Sequence, residues 1–346
     1  MPAVSGHIDE KVAGFQRWLE TLVGRVPVIF PQLRPVDRFG AWKARWGIGR
    51  MSYLVPPGLY AIGSPAAGDP VLVTANYKMS YDLVRSALSG RNVWLLVLET
   101  YGINVWCAAG KGTFGSEELV TRIAASRLAE LVSHRSLILP VLGAPGVSAF
   151  EVRARTGFSV HFAAIQATDI PRYLDGGMEA TPGMHELSFT FRERLVLVPI
   201  ELVIALKGSA WIIPLLAFTA AWHEGRFTPA AAIPAILAYC GAIAAGTIVT
   251  PLALPWLPTR SFAVKGALVG VLWSLLFLAL TGWRGLAAVA TVLLVSAVSS
   301  FLALNFTGST PYTSRSGVKR EMRLSMPVMA FGLAAGIGCW VVAALR

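Results

Sequence analysis

The hydrophobic pattern divides the chain near residue 190. Beyond it, five apolar segments follow one another at about 195–222, 229–251, 262–281, 286–306 and 327–345. Each approaches the ~20 residues a helix needs to cross a bilayer, which predicts an all-α transmembrane domain of five helices over 195–346. The first segment is interrupted by Glu201, Lys207 and Gly208, so its leading part is expected to lie along the interface. Ahead of the divide, short apolar runs alternate with amphipathic stretches. Runs 71–74 (VLVT), 93–98 (VWLLVL), 137–142 and 158–163 read as buried strands, with helical patterns at 77–88, 117–131 and 149–155. This alternation predicts a mostly parallel sheet covered by helices on both faces, an α/β Rossmann-like layer. Its core spans about 51–190, preceded by an extension over about 1–50, and the two form a domain over 1–190.

Composition supports that division. Of 346 residues, 55% are hydrophobic and only 14% charged, too apolar for an ordinary soluble protein. The formal net charge is +11, yet residues 195–346 carry 10 Lys/Arg against 3 Asp/Glu, so the excess sits in the apolar half. There it occupies short loops, where basic residues set membrane topology; no nucleic-acid partner is expected. The first residues are acidic early and lack an uninterrupted apolar stretch, so no secretory leader is expected and the 1–190 domain is placed in the cytoplasm. Arg260, Lys265, Arg315, Lys319, Arg320 and Arg323 then fall on the cytoplasmic side, and Arg226, Arg284 and Arg346 outside. This gives a multi-pass protein of the cytoplasmic membrane with its C-terminus outside, surrounded by membrane lipid.

In open α/β sheets ligands bind at the carboxyl ends of the strands, here the loops 74–78, 99–111, 142–147 and 164–170. Those loops hold the unusual sequences TANYK, ETYGINVWCAAGKG, LGAPGV and IQATDIP. No GxGxxG fingerprint and no GxxxxGK followed by Ser or Thr is present, which argues against a nicotinamide enzyme or an NTPase. Cys107 lies in one loop, whereas Cys240 and Cys339 lie in apolar segments and read as small packing residues. Three cysteines provide no disulfide framework, no zinc-ligand spacing and no four-thiolate iron–sulfur cluster. His7, His134, His161, His185 and His223 show no paired spacing and none is assigned as a ligand.

The stretch NVWCAAGK (Asn104, Val105, Trp106, Cys107, Ala108, Ala109, Gly110, Lys111) sets one thiol beside three nearly side-chain-free residues. A buried, inert cysteine is the bland alternative. Against it, Cys107 follows a strand at the start of a short helix, where backbone N–H groups and Lys111 favour negative charge on sulfur. Asn104 can cap that turn through its side-chain oxygen, and Trp106 fills core or packs on a ligand edge. The small Ala108, Ala109 and Gly110 let helix backbone approach a broad, flat group.

NVWCAAGKGTFG resembles the cap-helix signature of the HgcA family, the membrane-bound corrinoid proteins of microbial mercury methylation. That family is similar to the corrinoid iron–sulfur proteins of the reductive acetyl-CoA pathway. The resemblance extends to PGLYAIG at 57–63, VLVTANYKMSYDLVR at 71–85, HRSLILPVLGAPGV at 134–147, ATDIPRYL at 167–174 and FTGSTPYTSRSGVKREM at 306–322. It implies a corrinoid, cobalamin or a relative, bound base-off, with Cys107 as the lower axial ligand of cobalt and 104–111 as the cap helix. Thr74, Asn76, Gly143, Ala144 and Gly146 are expected near the corrin side chains or nucleotide tail by loop position.

The implied activity is that of a methyltransferase: a methyl group from a methyltetrahydrofolate-linked donor passes through methyl-Co(III), opposite the Cys107 sulfur, to Hg(II), giving methylmercury. The cluster-binding cysteines of the iron–sulfur relatives are missing, so the implied electron source is an HgcB-type ferredoxin with two 4Fe–4S clusters. The 306–323 loop, with four basic residues, is a candidate docking surface for that acidic partner. Other classes are a membrane transporter with a regulatory domain, a corrinoid methyl-transfer protein with a different acceptor, and a thiol-redox protein, which lacks a CxxC or nearby resolving cysteine.

Overall fold

A computed structural model describes residues 12–223 and 226–345. The expectations that fall on the first eleven residues, including His7 and the absence of a leader, and on Arg346 lie outside the described residues. The chain forms two compact units. One comprises residues up to Ala44 and Ile48–Leu187; the other comprises Arg45–Gly47 and Ser188 onward.

The first unit is a seven-stranded sheet. In chain order it contains β1 (Phe15–Thr21), β2 (Gly24–Ile29), α1 (Pro35–Arg45), β3 (Gly58–Ile62), β4 (Val71–Ala75), α2 (Lys78–Ala87) and β5 (Val93–Leu98). There follow α3 (Val105–Lys111), α4 (Ser116–Ala125), α5 (Leu128–Leu131), β6 (Ser136–Leu139), α6 (Ala149–Thr156), β7 (Ser159–Phe162) and α7 (Ile170–Asp175). The spatial order is β1-β2-β3-β5-β4-β6-β7. β5, β4, β6 and β7 are parallel neighbours, and these are the four strands expected from the apolar runs.

The sheet is mixed rather than mostly parallel. β3 pairs antiparallel with β5, β2 runs parallel to β3, and β1 and β2 form an antiparallel hairpin. The region treated as a featureless extension therefore supplies two strands and a helix. Their signals are short: β1 has one half-exposed face, and β3 is followed by β4 with no helix between that would mark it as part of an alternating series. The helical pattern at 117–131 is also divided, because Arg127 takes a left-handed φ of 50° between α4 and α5.

Period-two alternation distributes the strand side chains between two faces. Val71, Val73, Trp94, Leu96, Leu98, Leu137 and Leu139 pack with residues of α3, α4 and α6. Leu72, Val93, Leu95, Val97 and Ile138 pack on the opposite face with Tyr81 of α2 and Tyr173 of α7. The β4–β5 crossover through α2 thus covers one face, the β5–β6 and β6–β7 crossovers cover the other, and the strand order reverses between β4 and β6. The carboxyl ends of those two strands form the switch point at which open α/β sheets leave a crevice.

Among the described residues of the second unit four helices are long and apolar enough to cross a membrane: Pro229–Ala253, Phe262–Thr281, Gly285–Ser309 and Ser316–Ala344. The first expected segment is instead a pair, Phe191–Gly208 and Ile212–Ala221, bent by 56° at the break, so a fifth span exists only if that pair counts as one. The break falls just after Lys207 and Gly208, the interruption visible in sequence. Small residues let the second and third long helices meet closely, as in membrane bundles. Ser299 Oγ donates to the Gly266 carbonyl at 2.7 Å and Ser300 Oγ to that of Ala263 at 2.7 Å.

Two further expectations change. The tract 306–323 is not all loop, since the last helix starts at Arg315 and carries Lys319, Arg320 and Arg323 on its first turns. Ser314 makes this start feasible by accepting from Gly317 N–H at 3.1 Å. Cys240 is exposed, so it is not enclosed by this unit as a packing residue, whereas Cys339 is half-buried. Glu201 accepts a hydrogen bond from Ser309 Oγ at 2.8 Å, a partner from the far end of the third long helix.

Candidate functional site

The cysteine helix is built from the loop beneath it. Asn76, fully buried just past β4, has its side-chain oxygen within hydrogen-bond distance of Thr100 N–H (3.1 Å), Thr100 Oγ1 (2.9 Å) and Gly102 N–H (3.1 Å). Its amide nitrogen donates to Glu99 Oε1 at 2.6 Å. Glu99 also accepts from Tyr101 N–H at 2.8 Å, which helps hold Tyr101 at a left-handed φ of 55°. Glu118 of α4 accepts from Glu99 N–H at 2.8 Å and is itself held by Arg122. The loop 99–103 is thereby fixed from both sides before α3 begins.

At the start of α3, Asn104 is the N-cap: its Oδ1 accepts from Cys107 N–H at 2.9 Å. Gly112, in the left-handed conformation, ends the helix by donating to the Ala109 carbonyl at 3.2 Å. Between these caps the residues sort by face. Val105, Ala108 and Ala109 are buried, Trp106 is half-buried, and Cys107, Gly110 and Lys111 are exposed.

Ala108 and Ala109 thus belong to the buried face of the helix, against which the 141–147 loop packs closely. A Cβ on Gly146 would stand 2.9 Å from Ala109 Cα and 2.1 Å from the Phe114 carbonyl oxygen. A Cβ on Gly143 would stand 2.5 Å from the Phe114 ring. Only Gly110 of the three small residues shares the exposed face of Cys107, one turn away, where it leaves backbone without side-chain bulk.

The structure thus brings α3 and the LGAPGV loop together at the carboxyl end of the parallel strands. Gly143 is buried, Gly146 half-buried, and Ala144 exposed at the loop tip. Asn76, expected near the ligand by loop position, has its side-chain polar atoms engaged within the protein. Thr74 is also fully buried, and its hydroxyl has no hydrogen-bond partner among the described residues. Missed in the sequence were Thr100, Glu118 and Phe114, which hold the loop and the helix. Phe114 lies within the GTFG following the cysteine helix, but its contact with Gly143 depends on the tertiary fold.

The donor set suits a corrinoid better than a bare metal ion. Among the described residues no group of three or more His, Cys, Asp or Glu could hold a metal, whereas a single exposed sulfur beside bare helix backbone matches a macrocycle that supplies its other ligands itself. The orphaned Thr74 hydroxyl, at the end of β4 in the switch point, is a polar group that a ligand side chain or water can satisfy.

Residues 50–172 match the family model described as the CO dehydrogenase/acetyl-CoA synthase delta subunit. Over 123 residues the chain is 32% identical to the acetyl-CoA decarbonylase/synthase complex subunit gamma of Methanopyrus kandleri, covering 35% of this chain and 26% of that subunit. The gamma subunit of Archaeoglobus fulgidus is 34% identical over 123 residues, with the same coverage. That of Methanocaldococcus jannaschii is 37% identical over 97 residues, 28% of this chain and 20% of that protein. The chain spans about a quarter of the length of these relatives. The likeness is therefore carried by the α/β unit, which over 50–172 is related to the delta- and gamma-subunit families of acetyl-CoA synthase complexes.

Proposed function

We propose that this chain is a membrane-bound, corrinoid-dependent methyltransferase that methylates Hg(II), with the Cys107 thiolate as the lower axial ligand of cobalt. The observation that carries this reading is the cysteine helix: a capped turn beside the strand switch point, with Cys107 and Gly110 on its exposed face. Relatedness to acetyl-CoA complex subunits supports the methyl-transfer class, and the motif NVWCAAGKGTFG supports the mercury acceptor. When bound, the corrinoid supplies a cobalt centre able to carry a methyl group between donor and acceptor.

The chain's own residues hold and orient that group. Asn104 sets the first turn so that Cys107 projects outward, and Gly110 leaves room for a flat ring. Gly146 and Phe114 fix the helix from below, and Asn76 fixes the loop that launches it. The Cys107 sulfur would be the protein's ligand to the cobalt, and the identity of that ligand is a principal way for a protein to tune such a centre. In this reading the Thr74 hydroxyl and the 143–146 loop would meet the periphery or nucleotide tail.

In this reading the four long apolar helices, with the bent pair as a fifth span, anchor the chain in the cytoplasmic membrane with the α/β unit inside. A separate ferredoxin with two 4Fe–4S clusters supplies electrons, because three cysteines cannot hold a cluster of four thiolates. The methyl donor is methyltetrahydrofolate-linked.

A different methyl acceptor is the second reading, favoured by the acetyl-CoA complex names of the relatives. The deciding experiment loads purified chain with cobalamin and supplies a methyl donor, reductant and either Hg(II) or a thiol acceptor, with and without the ferredoxin. Formation of methylmercury that requires cobalamin supports the proposal. Methylation of another acceptor with no methylmercury assigns the second reading, and a protein that retains no cobalamin rejects both.

A further inference from the structure

α1 presents two unlike sides. On the inner side Asp37 and Ala44 are buried. Asp37 pairs with Lys78 at 2.7 Å and Arg85 at 2.9 Å, which fastens the helix to α2. On the outer side Val36, Phe39 and Trp42 recur at helical spacing and are 62%, 59% and 52% exposed. The Phe39 and Trp42 rings stack with centroids 5.8 Å apart, and Ile48 and Met51 extend the exposed apolar surface beyond the helix.

The charges beside this surface have one sign. From Phe30 to Met51 the basic residues are Arg34, Arg38, Lys43, Arg45 and Arg50, and the single acid, Asp37, is buried in its ion pairs. Lys43 Nζ lies 5.9 Å from the centre of the Phe39 ring, so cation and aromatic surface are contiguous. Aromatic and aliphatic residues flanked by cations form the signature of a helix lying in a membrane interface, and the missing exposed acid matches an anionic surface. Moreover, the chain passes from α1 directly into Arg45–Gly47, which group with the apolar-helix unit. There a Cβ on Gly47 would stand 3.4 Å from Ile200 and Val203 of Val198–Gly208.

We propose that α1 is an interfacial helix that lays Val36, Phe39 and Trp42 into an anionic lipid surface while Asp37 ties it to the α/β unit. The helix then gives the α/β unit a membrane contact of its own. The inference rests on the long apolar helices being spans, and the test reads that separately.

The test uses the full chain with Cys107, Cys240 and Cys339 replaced by alanine, and a spin label attached at Phe39→Cys, Ala129→Cys or Phe331→Cys. Each protein is reconstituted in vesicles of phosphatidylcholine with phosphatidylglycerol, and collision with oxygen and with a water-soluble nickel chelate is measured. The proposal predicts that oxygen collisions dominate at 39 and 331 and nickel collisions at the exposed surface position 129. Adding Arg38→Glu and Lys43→Glu should shift the label at 39 toward nickel. Nickel dominance at 39 with oxygen dominance at 331 would overturn the interfacial helix and leave the spans standing. Shielding of 39 from both reagents would overturn it in favour of a protein contact, and nickel dominance at 331 would reject the spans with it. An unchanged depth in the charge-reversed protein would overturn the anionic preference.

Discussion

Cys107 stands out as a residue because it is the one cysteine outside the apolar segments and follows a strand predicted from composition alone. Its exposure at the strand switch point needed the fold. Ala108 and Ala109 show the limit of reading a motif by side-chain size, since both lie on the buried face of the helix, where Gly146 packs against Ala109 backbone and the Phe114 carbonyl. Gly146→Ala should therefore push α3 outward at a stability cost of about 1–3 kcal/mol, typical of overpacking. Thermal unfolding and corrinoid retention should fall together; a fully stable variant with unchanged retention would show that the contact does not set the helix. Asn76 was legible as a polar residue at a strand end. Its engagement with Glu99, Thr100 and Gly102 was not, because those bonds depend on how the next loop folds back.

Among the elements, the four parallel strands were legible because each is a short apolar run closed by a helical pattern. β1 to β3 were not, since they join the sheet through a hairpin and an antiparallel edge. The same region contributes α1, whose attachment is electrostatic. Burial favours the neutral form of Asp37, but hydrogen bonds from Lys78 and the Arg34 N–H outweigh it and hold the carboxyl below its ordinary value. Burial likewise opposes the Lys78 charge, yet its bonds to Asp37 and Asp82 raise it above the ordinary lysine value.

The lowered acid stabilises the fold above its unfolded value and ceases to do so as pH falls through the folded one. The raised base stabilises below its unfolded value and ceases to do so as pH rises through the folded one. Protection of the α1 amides, the factor by which their hydrogen exchange is slowed relative to the intrinsic rate at each pH, should therefore be greatest between the aspartate and lysine ranges and fall at both ends. Arg85→Met should lower it throughout, because leaving Asp37 and Asp82 short of a buried partner costs about 3–5 kcal/mol. Protection independent of pH and of Arg85 would refute this attachment.

The whole molecule joins an α/β unit related to acetyl-CoA complex subunits with a helical unit beyond the matched residues 50–172. Apolar length made the long helices legible. The interruption of the first segment at Lys207 and Gly208 was legible, its 56° bend was not, and the early start of the last helix was hidden by a Ser/Gly-rich tract that serves as a cap. Lys319, Arg320 and Arg323 lie on that helix start, and in the proposed topology they face the cytoplasm. If they dock an acidic ferredoxin, replacing all three with glutamine should slow reduction several-fold and flatten its salt dependence. An unchanged rate and salt dependence would remove them from the docking surface.

The central claim, that the Cys107 sulfur binds cobalt, is tested most directly by spectroscopy of cobalamin-loaded protein. Visible absorption and Co(II) electron paramagnetic resonance should be compared for the wild type and Cys107→Ala, with circular dichroism as the folding control. The account predicts a sulfur-ligated signature in the wild type that disappears in a folded Cys107→Ala protein, together with methyl transfer to Hg(II). Identical spectra in the two proteins, or full methyl transfer by Cys107→Ala, would contradict it.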